Sequence, residues 1–152
     1  MNWQEYFNNV AHAIALKSKD PSSKVGAIIV DKDNRIVSQG FNGFVAGCDE
    51  SKMTWDRPMK YALVIHAEAN ALLHARVNLT GAKMYVTHGP CENCLKHTLQ
   101  AGIREVYYKD PGIMRDRSTA EQKEAIKRLI EATGAKVVNV DTNEEYIKEL
   151  GV

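Results

Sequence analysis

Two short segments of the chain contain the side chains that proteins use to bind and use metal ions. Residues 88–94 have the sequence HGPCENC, and residues 64–70 have the sequence VIHAEAN. Cys91 and Cys94 alone allow three interpretations: a redox pair, half of a structural zinc site, or part of a catalytic metal site. A redox pair requires neither His66 nor Glu68. A structural zinc site requires four protein ligands, and the chain has no second CxxC.

The spacing of these residues favours a catalytic zinc site. His66 and Glu68 open one predicted helix, and the two cysteines open the next helix, one strand later. Cys91 and Cys94 are one helical turn apart, so both sulfurs can point at one ion, and helix N-termini stabilise thiolates. We expect His66, Cys91 and Cys94 to bind one Zn²⁺ and to leave the fourth position to water. Glu68 is then the expected general base.

The composition excludes several classes of protein. The chain has 152 residues, of which 44% are hydrophobic and 26% charged, and this fits one domain over residues 1–152. A net charge of +1 predicts neither a nucleic-acid partner nor a membrane partner. The polar N-terminus is not typical of a signal peptide. Three cysteines do not indicate a disulfide scaffold, so the expected location is the cytoplasm, or the host cytoplasm if the protein is viral.

Predicted helices and strands alternate along the chain. Helices are predicted over residues 2–18, 66–76, 91–102, 118–134 and 142–150. Strands are predicted over residues 24–30, 35–41, 83–87, 104–108 and 136–140, with the first two forming a hairpin. Capping patterns pair Asn2 with Glu5, Ser118 with Glu121, and Thr142 with Glu145. This order predicts an α/β fold, a three-layer α/β/α sandwich with a mixed five-stranded sheet, in which the hairpin is antiparallel and the later strands are largely parallel.

The two metal-binding segments also match a known signature. H-x-E followed by P-C-x-x-C is the pattern of the zinc nucleobase deaminases. The wider sequence, from about residue 3 to residue 110, resembles the deoxycytidylate (dCMP) deaminase family. The segments that carry this resemblance are SKDPSSKVGAIIV (18–30), GFNGFVAGCD (40–49), HAEANALL (66–73), MYVTHGPCENC (84–94) and QAGIREVYY (100–108). The resemblance implies a cytidine deaminase-like fold and hydrolysis of dCMP to dUMP and ammonia, feeding thymidylate synthesis.

The resemblance also implies roles for individual residues. Glu68 is expected to carry protons to N3 of the cytosine and to the leaving amine. The backbone N–H of Ala67 is expected to bond the pyrimidine carbonyl, and Pro90 is expected to belong to the substrate-binding site. Asn42 stands where related deaminases use an asparagine to hold the nucleoside sugar.

Residues 40–43, GFNG, resemble a nucleotide-binding motif of the same family. The family associates this segment with an allosteric triphosphate site, where dCTP activates and dTTP inhibits, and Mg²⁺ should accompany the triphosphate. The expected allosteric contacts are Lys24, Gly40, Phe41, Asn42 and Gly43. Asn-Gly is also a strong turn signal, and Lys24 is equally consistent with a solvated strand start, so both interpretations stay open. The family further implies self-association as a homohexamer.

Several other residues have only general expectations. The candidates for binding the substrate phosphate are Arg57, Lys60, Arg76 and Arg115, although each is more often a surface charge. Trp55 is expected either to cover the base or to fill the core. The segment KDPSS (19–23) lacks the extra cysteines of relatives with a second zinc, so we expect one zinc and a free thiol at Cys48. His88 stands where the family commonly has a bulky apolar residue. It is therefore a candidate for contacting the substrate, although a surface histidine is the expected outcome.

Three other functions compete with this interpretation. A tRNA adenosine deaminase shares the zinc motif, but it usually needs a basic surface for RNA, and a net charge of +1 argues against one. A free-base or riboflavin-pathway deaminase is disfavoured by the segment GFNGFVAGCD. A nucleotide-sensing zinc module without catalysis has no use for Glu68.

Overall fold

A computed structural model describes all 152 residues. Five strands form one mixed sheet with helices on both faces. The strands are β1 (Gly26–Val30), β2 (Ile36–Phe41), β3 (Lys83–His88), β4 (Glu105–Asp110) and β5 (Lys136–Asn139). The helices are α1 (Trp3–Ala15), α2 (Lys60–Leu63), α3 (Ala67–His74), α4 (Glu92–Gln100), α5 (Gly112–Arg117), α6 (Ala120–Thr133) and α7 (Tyr146–Leu150), with a 3-10 turn at Glu50–Lys52.

The strand order across the sheet is β2-β1-β3-β4-β5. Strand β1 is antiparallel to both β2 and β3, whereas β3, β4 and β5 are parallel to one another. The predicted sandwich and mixed sheet are therefore confirmed. The sequence predicted one antiparallel pair and the structure has two, because the hairpin joins the sheet through β1 and leaves β2 at the edge.

Strand β1 shows how one sheet supports two cores. All five of its residues are buried. Side chains alternate between the faces of a strand, so Ala27 and Ile29 enter one cluster of buried residues while Ile28 and Val30 enter the other. Helix α1 covers the second face through Phe7. Helices α3, α4, α6 and α7 cover the first face, which is the face on which the candidate metal ligands lie.

Strand β2 packs unusually closely against helix α3. A Cβ atom added to Gly40 would lie 2.5 Å from the carbonyl oxygen of Ala67 and 2.5 Å from the backbone nitrogen of Ala71. Glycine is needed here because the two backbones nearly touch, and no other side chain fits the space. This contact fixes the end of β2 beside the start of α3.

Several chain segments meet at the end of the sheet where β3 and β4 finish, which is called its carboxyl edge below. The start of β1 and the ends of β2, β3 and β4 lie there, since Gly26 pairs with Phe41, Ala27 pairs with Val86, and His88 pairs with Asp110. In parallel α/β sheets this carboxyl edge is the usual place for a binding site. The segments that follow β2, β3 and β4 therefore meet around one space.

The helix starts agree with the sequence predictions at α1 and differ from them at α6 and α7. Helix α1 begins as expected, with the Asn2 side chain accepting from the Glu5 N–H at 2.8 Å. Helix α6 is capped one residue later than predicted, by Thr119 and Gln122, because the Ser118 hydroxyl donates to the Met114 carbonyl and closes the unpredicted helix α5. The predicted capping box of Thr142 and Glu145 is wrong, since α7 begins only at Tyr146.

Candidate metal centre and active site

The candidate metal ligands come from two neighbouring helix starts. His66 is the N-cap of α3, Cys91 is the N-cap of α4, and Cys94 lies in the first turn of α4. The Nδ1 atom of His66 lies 3.3 Å from the Cys94 sulfur and 3.6 Å from the Cys91 sulfur. One ligand atom from each of the three residues falls within 4.8 Å of the other two. The structure thus brings together all three residues that the sequence singled out as ligands.

The donor set fits zinc. One imidazole nitrogen and two cysteine sulfurs are preferred zinc ligands, and three protein ligands leave one tetrahedral position free. His66 is exposed, and both His66 and Cys91 line a cavity, so an ion held by the three residues would adjoin that cavity. Cys94 is buried and Cys91 is half-buried. The arrangement suits a catalytic metal rather than a closed structural one.

The charges of the ligands are strongly coupled to one another. A hydrogen bond from the Cys94 thiol, together with one from His66, lowers the pKa of Cys91 to about 4. The hydrogen bond to Cys91, with burial, raises the pKa of Cys94 above its usual range. The hydrogen bond to Cys91 raises the pKa of His66 to about 9. The site therefore holds a thiolate at neutral pH, the form that ligates metals.

Glu68 lies beside the ligands in the first turn of α3. Its side chain lines the cavity and the residue is only 4% exposed. Burial, and next the negative charge of Cys91, raises the pKa of Glu68 to about 7. A carboxyl group with a pKa near neutrality both accepts and returns protons readily, which is the requirement for general acid–base catalysis. The neighbouring Ala67 also lines the cavity, and its N–H has no acceptor within the helix because it is in the first turn.

The cavity beside the ligands has a volume of about 620 Å³. Its lining includes His66, Ala67, Glu68 and Cys91 at the metal end. Asn42, Arg57, Lys60 and His88, which the sequence had also suggested, line it as well. Pro90, Lys24, Gly40, Phe41 and Gly43 are not among the lining residues.

Another part of the cavity lining comes from the segment after β4, where the sequence had suggested Arg115 alone as a candidate. Its residues are Ile113, Met114, Arg117, Ser118 and Gln122, from α5, α6 and the turn between them. The placement follows from topology: α5 begins directly after β4 at the carboxyl edge of the sheet, two residues beyond Asp110. A strand followed by a glycine and charged residues would have indicated a segment at this edge, but not that its side chains face the cavity.

The side-chain amide of Asn42 is almost fully occupied within the protein. Its Oδ1 accepts from the Val25 N–H at 2.9 Å, and its Nδ2 donates to Asp20 at 3.1 Å and to the Ser23 carbonyl at 3.0 Å. Both amide protons are used, so Asn42 retains one acceptor lone pair for a ligand. Its strongest role in the structure is to hold the start of β1 against the end of β2.

A buried ion pair that the sequence analysis missed lies next to Asn42. Lys60 and Asp20 approach to 2.8 Å, with side chains only 9% and 2% exposed. Although burial acts to raise the pKa of Asp20, hydrogen bonds from Lys60, Ser22 and Ser23 outweigh it and lower that pKa below its usual value. Lys60 is therefore already neutralised. Two residues 40 positions apart form this pair, and a single sequence carries no signal for such a contact.

The segment GFNG (40–43) has a structural role in addition to any role in ligand binding. Gly40 is pressed against α3, and Gly43 exchanges two backbone hydrogen bonds with Ile65 just before His66, at 3.1 and 2.8 Å. Asn70 donates to the Phe41 carbonyl at 2.8 Å. The segment thus joins the end of β2 to the helix that carries Glu68. Phe41 and Lys24 are exposed and are not among the residues that line the cavity.

His88 is not a surface histidine, so that expectation is wrong. Its side chain is 20% exposed, lines the cavity, and lies with Nε2 3.9 Å from Asp110. Its Nδ1 is 2.8 Å from the Thr87 hydroxyl, and burial lowers its pKa. The strand β3 runs one residue further than predicted, which carries His88 to the cavity instead of into a loop.

The remaining candidate residues lie both inside and outside the cavity. Arg57 lines the cavity, whereas Arg76 and Arg115 are exposed elsewhere, and Arg115 contacts Asp116 at 3.1 Å. Trp55 packs on Phe44 at a ring distance of 4.3 Å and is half-buried outside the cavity lining. Cys48 is a free thiol, as expected.

The three ligands, the free coordination position and the buried carboxylate define a metal-dependent hydrolytic site on an α/β fold. Comparison with known proteins agrees with this class. The family model for the cytidine and deoxycytidylate deaminase zinc-binding region matches residues 1–110. The chain therefore belongs to the cytidine and deoxycytidylate deaminase family, as the sequence indicated.

Individual relatives extend this result. An uncharacterized deaminase of Aliivibrio fischeri is 47% identical over 105 residues, covering 69% of this chain and 71% of that protein. Human deoxycytidylate deaminase is 43% identical over 115 residues, covering 71% of this chain and 65% of the human protein's length. The dCMP deaminase of cyanophage S-TIM5, solved with dCMP and dUMP, has a TM-score of 0.67 at 27% identity, covering 90% of this chain and 95% of that chain. The cytidine deaminase-like fold is thereby confirmed.

None of the helices combines the length and the apolar character that crossing a membrane requires.

The ligand cluster makes a direct prediction about metal content. Cys94→Ser should reduce bound zinc from about one ion per chain to almost none, because the buried thiolate is one of only three donors. Cys48→Ser, which removes the third cysteine outside the cluster, is the matched control and should retain the full zinc content. Elemental analysis of both purified variants checks this, and equal zinc loss in the two would contradict the assignment.

Proposed function

We propose that the chain, acting as one deaminase domain over residues 1–152, hydrolyses dCMP to dUMP and ammonia. The observation that carries this proposal is the buried Glu68 beside the His66, Cys91 and Cys94 cluster, at one end of a cavity. Family membership supports the reaction class, and the similarity to dCMP deaminases of human and phage supports the nucleotide. The dUMP formed would supply thymidylate synthesis.

The residues of the site have complementary tasks in this reaction. His66, Cys91 and Cys94 would hold a zinc ion, which would supply Lewis-acid activation of one water molecule. Glu68 accepts a proton from the attacking water and delivers it to N3 of the cytosine, then transfers the second proton to the departing amine. The Ala67 N–H donates to the pyrimidine carbonyl and fixes the ring. A C4–O bond forms and the C4–N bond breaks. One proton of the water stays on N3 of the uracil, and the other leaves with the amino group as ammonia.

Replacing Glu68 separates catalysis from metal binding. Glu68→Gln keeps the shape of the side chain but cannot carry a proton, so turnover of dCMP should fall by roughly 10²–10⁴-fold. Zinc content should stay near one ion per chain. Ammonia release and elemental analysis of the same preparation check the two expectations, and retained turnover would favour the nucleotide-sensing module over an enzyme.

The phosphate of dCMP requires a cation that is not already neutralised. Lys60 lines the cavity but is paired with Asp20. Arg57 and Arg117 also line the cavity, and neither has a carboxylate within 4.0 Å. Guanidinium groups bind phosphate through paired hydrogen bonds. We therefore assign the phosphate to these two arginines.

This assignment predicts a change in KM without a comparable change in kcat. Arg57→Gln and Arg117→Gln should each raise KM for dCMP by roughly 10-fold, as expected for the loss of one charge-assisted contact. The KM for deoxycytidine, which lacks the phosphate, should not change in either variant. Arg115→Gln is the matched control, since Arg115 is exposed near Arg117 but outside the cavity. Equal effects on dCMP and deoxycytidine would contradict the assignment.

The proposal extends to regulation and assembly. Family resemblance supports a homohexamer in the cytoplasm, with dCTP as activator, dTTP as inhibitor and Mg²⁺ bound with the triphosphate. The exposed positions of Phe41 and Lys24, outside the cavity lining, leave these residues available for a second nucleotide. The GFNG backbone joins this surface to α3, which gives an effector a short path to Glu68.

Ammonia release from dCMP, CMP, deoxycytidine and a tRNA anticodon stem, with and without dCTP, tests substrate and regulation together. We expect turnover of dCMP that dCTP enhances and dTTP reduces. A hyperbolic dCMP curve that neither triphosphate shifts would remove the allosteric proposal and leave the enzyme. Activity on the RNA and not on dCMP would mean that the zinc site belongs to a tRNA adenosine deaminase.

A further inference from the structure

Helix α7, which lies outside the segment that matches the family model, contacts the loop that carries a metal ligand. Its first residue, Tyr146, is fully buried. The Tyr146 hydroxyl donates a hydrogen bond of 2.9 Å to the carbonyl oxygen of Pro90, 56 residues away in sequence. Pro90 directly precedes Cys91, so this bond acts on the peptide group that joins Pro90 to the ligand.

Gly89 shows that the loop is shaped around this tyrosine. A Cβ atom added to Gly89 would lie 2.5 Å from two Tyr146 side-chain atoms, the ring carbon Cε1 and the hydroxyl oxygen. Its φ is not positive, so the backbone conformation does not demand glycine. The absence of a side chain at residue 89 is therefore explained by space alone: the ring of Tyr146 fills it.

Few other bonds hold this part of the loop. Gly89 donates its N–H to the Asp110 carbonyl at 2.9 Å, whereas Pro90 has no N–H to donate. The Cys91 sulfur accepts from the Cys94 N–H at 3.4 Å, a bond within the ligand pair itself. The Cys91 carbonyl accepts from the Leu95 N–H at 2.9 Å, a bond within α4 and its N-cap. The hydroxyl of Tyr146 is thus the contact that ties the Pro90 carbonyl to the rest of the fold.

We propose that Tyr146 is a positioning residue for the metal centre: by bonding the Pro90 carbonyl, it fixes the direction of the Cys91 side chain toward His66 and Cys94. Gly89 is its partner, since it admits the ring. Partners that orient a ligand from behind typically contribute 10–100-fold to metal affinity or activity. The expected effect of Tyr146 on turnover rests on the proposed function, whereas its expected effect on zinc affinity does not.

The structure supplies a matched control in the same aromatic pair. Tyr108 is also fully buried, its ring lies 4.6 Å from that of Tyr146, and its hydroxyl donates to Glu149 at 2.5 Å. Tyr146→Phe and Tyr108→Phe each remove one buried, bonded hydroxyl and keep the ring. They differ in whether the lost bond reaches Pro90.

Competition with a chromophoric zinc chelator, without substrate, measures the effect. Tyr146→Phe should weaken zinc binding by roughly 10-fold or more, while Tyr108→Phe should leave the zinc affinity within about twofold of the parent. Replacement of zinc by Co²⁺ gives a second reading, because its absorption bands report ligand geometry and should shift only in Tyr146→Phe. Unchanged zinc affinity and an unchanged Co²⁺ spectrum in Tyr146→Phe would overturn the proposal.

A second variant tests the partnership with Gly89. Gly89→Ala should displace the ring and weaken zinc binding to a similar degree. In the double variant Gly89→Ala with Tyr146→Phe the two losses should not add, because the hydroxyl bond is already broken in the first. Fully additive losses would mean that the two residues act independently and would overturn the pairing. Zinc affinity is read without dCMP, so this result stands apart from the identity of the substrate.

Discussion

The approach of two helix N-termini at one edge of the sheet creates the site. His66 and Cys91 are N-cap residues, and the first-turn N–H groups behind them have no acceptor within their own helices. Their partial positive charge favours thiolates and developing negative charge in the space between the helices. Cys94 adds the third ligand from within the same turn. A complete donor set is thus built from local helix geometry on either side of one strand, β3.

The part of the cavity lining formed by Asp20, Asn42 and Lys60 has a different physical basis. There the chain buries a charged pair, Asp20 and Lys60, and bonds it to Asn42. A buried pair contributes little net free energy of folding, but removing either partner leaves an uncompensated charge, at a cost of about 3–5 kcal/mol. The pair therefore acts chiefly as a constraint that joins the segment before β1 to helix α2. Among the lysine and arginine side chains that line the cavity, Arg57 and Arg117 therefore remain without a carboxylate partner.

The sequence predicted what depends on local patterns. Periodicity located every strand and all the long helices, and the spacing of His66, Cys91 and Cys94 identified the ligands, because one turn of helix fixes where neighbouring side chains point. Contacts between distant segments were not predictable. The Asp20–Lys60 pair joins the segment before β1 to helix α2, and the Tyr146–Pro90 bond joins α7 to the loop after β3. His88 was misjudged for a smaller reason: one additional residue of strand decides whether its side chain faces solvent or the cavity.

The composite origin of the cavity wall has a consequence for how such a protein can diversify. The reaction centre lies within residues 66–94, while α5 and the start of α6 contribute lining residues but no ligand. Substitutions in residues 111–122 can therefore reshape the space around a substrate while the donor set stays intact. Residues 146–150 are not free in the same way, because a single hydroxyl there contacts the ligand loop. In chimeras of related proteins, residues 111–122 can be exchanged as one segment. Helix α7 has to come from the same parent as the loop of residues 89–91, because Tyr146 bonds to that loop.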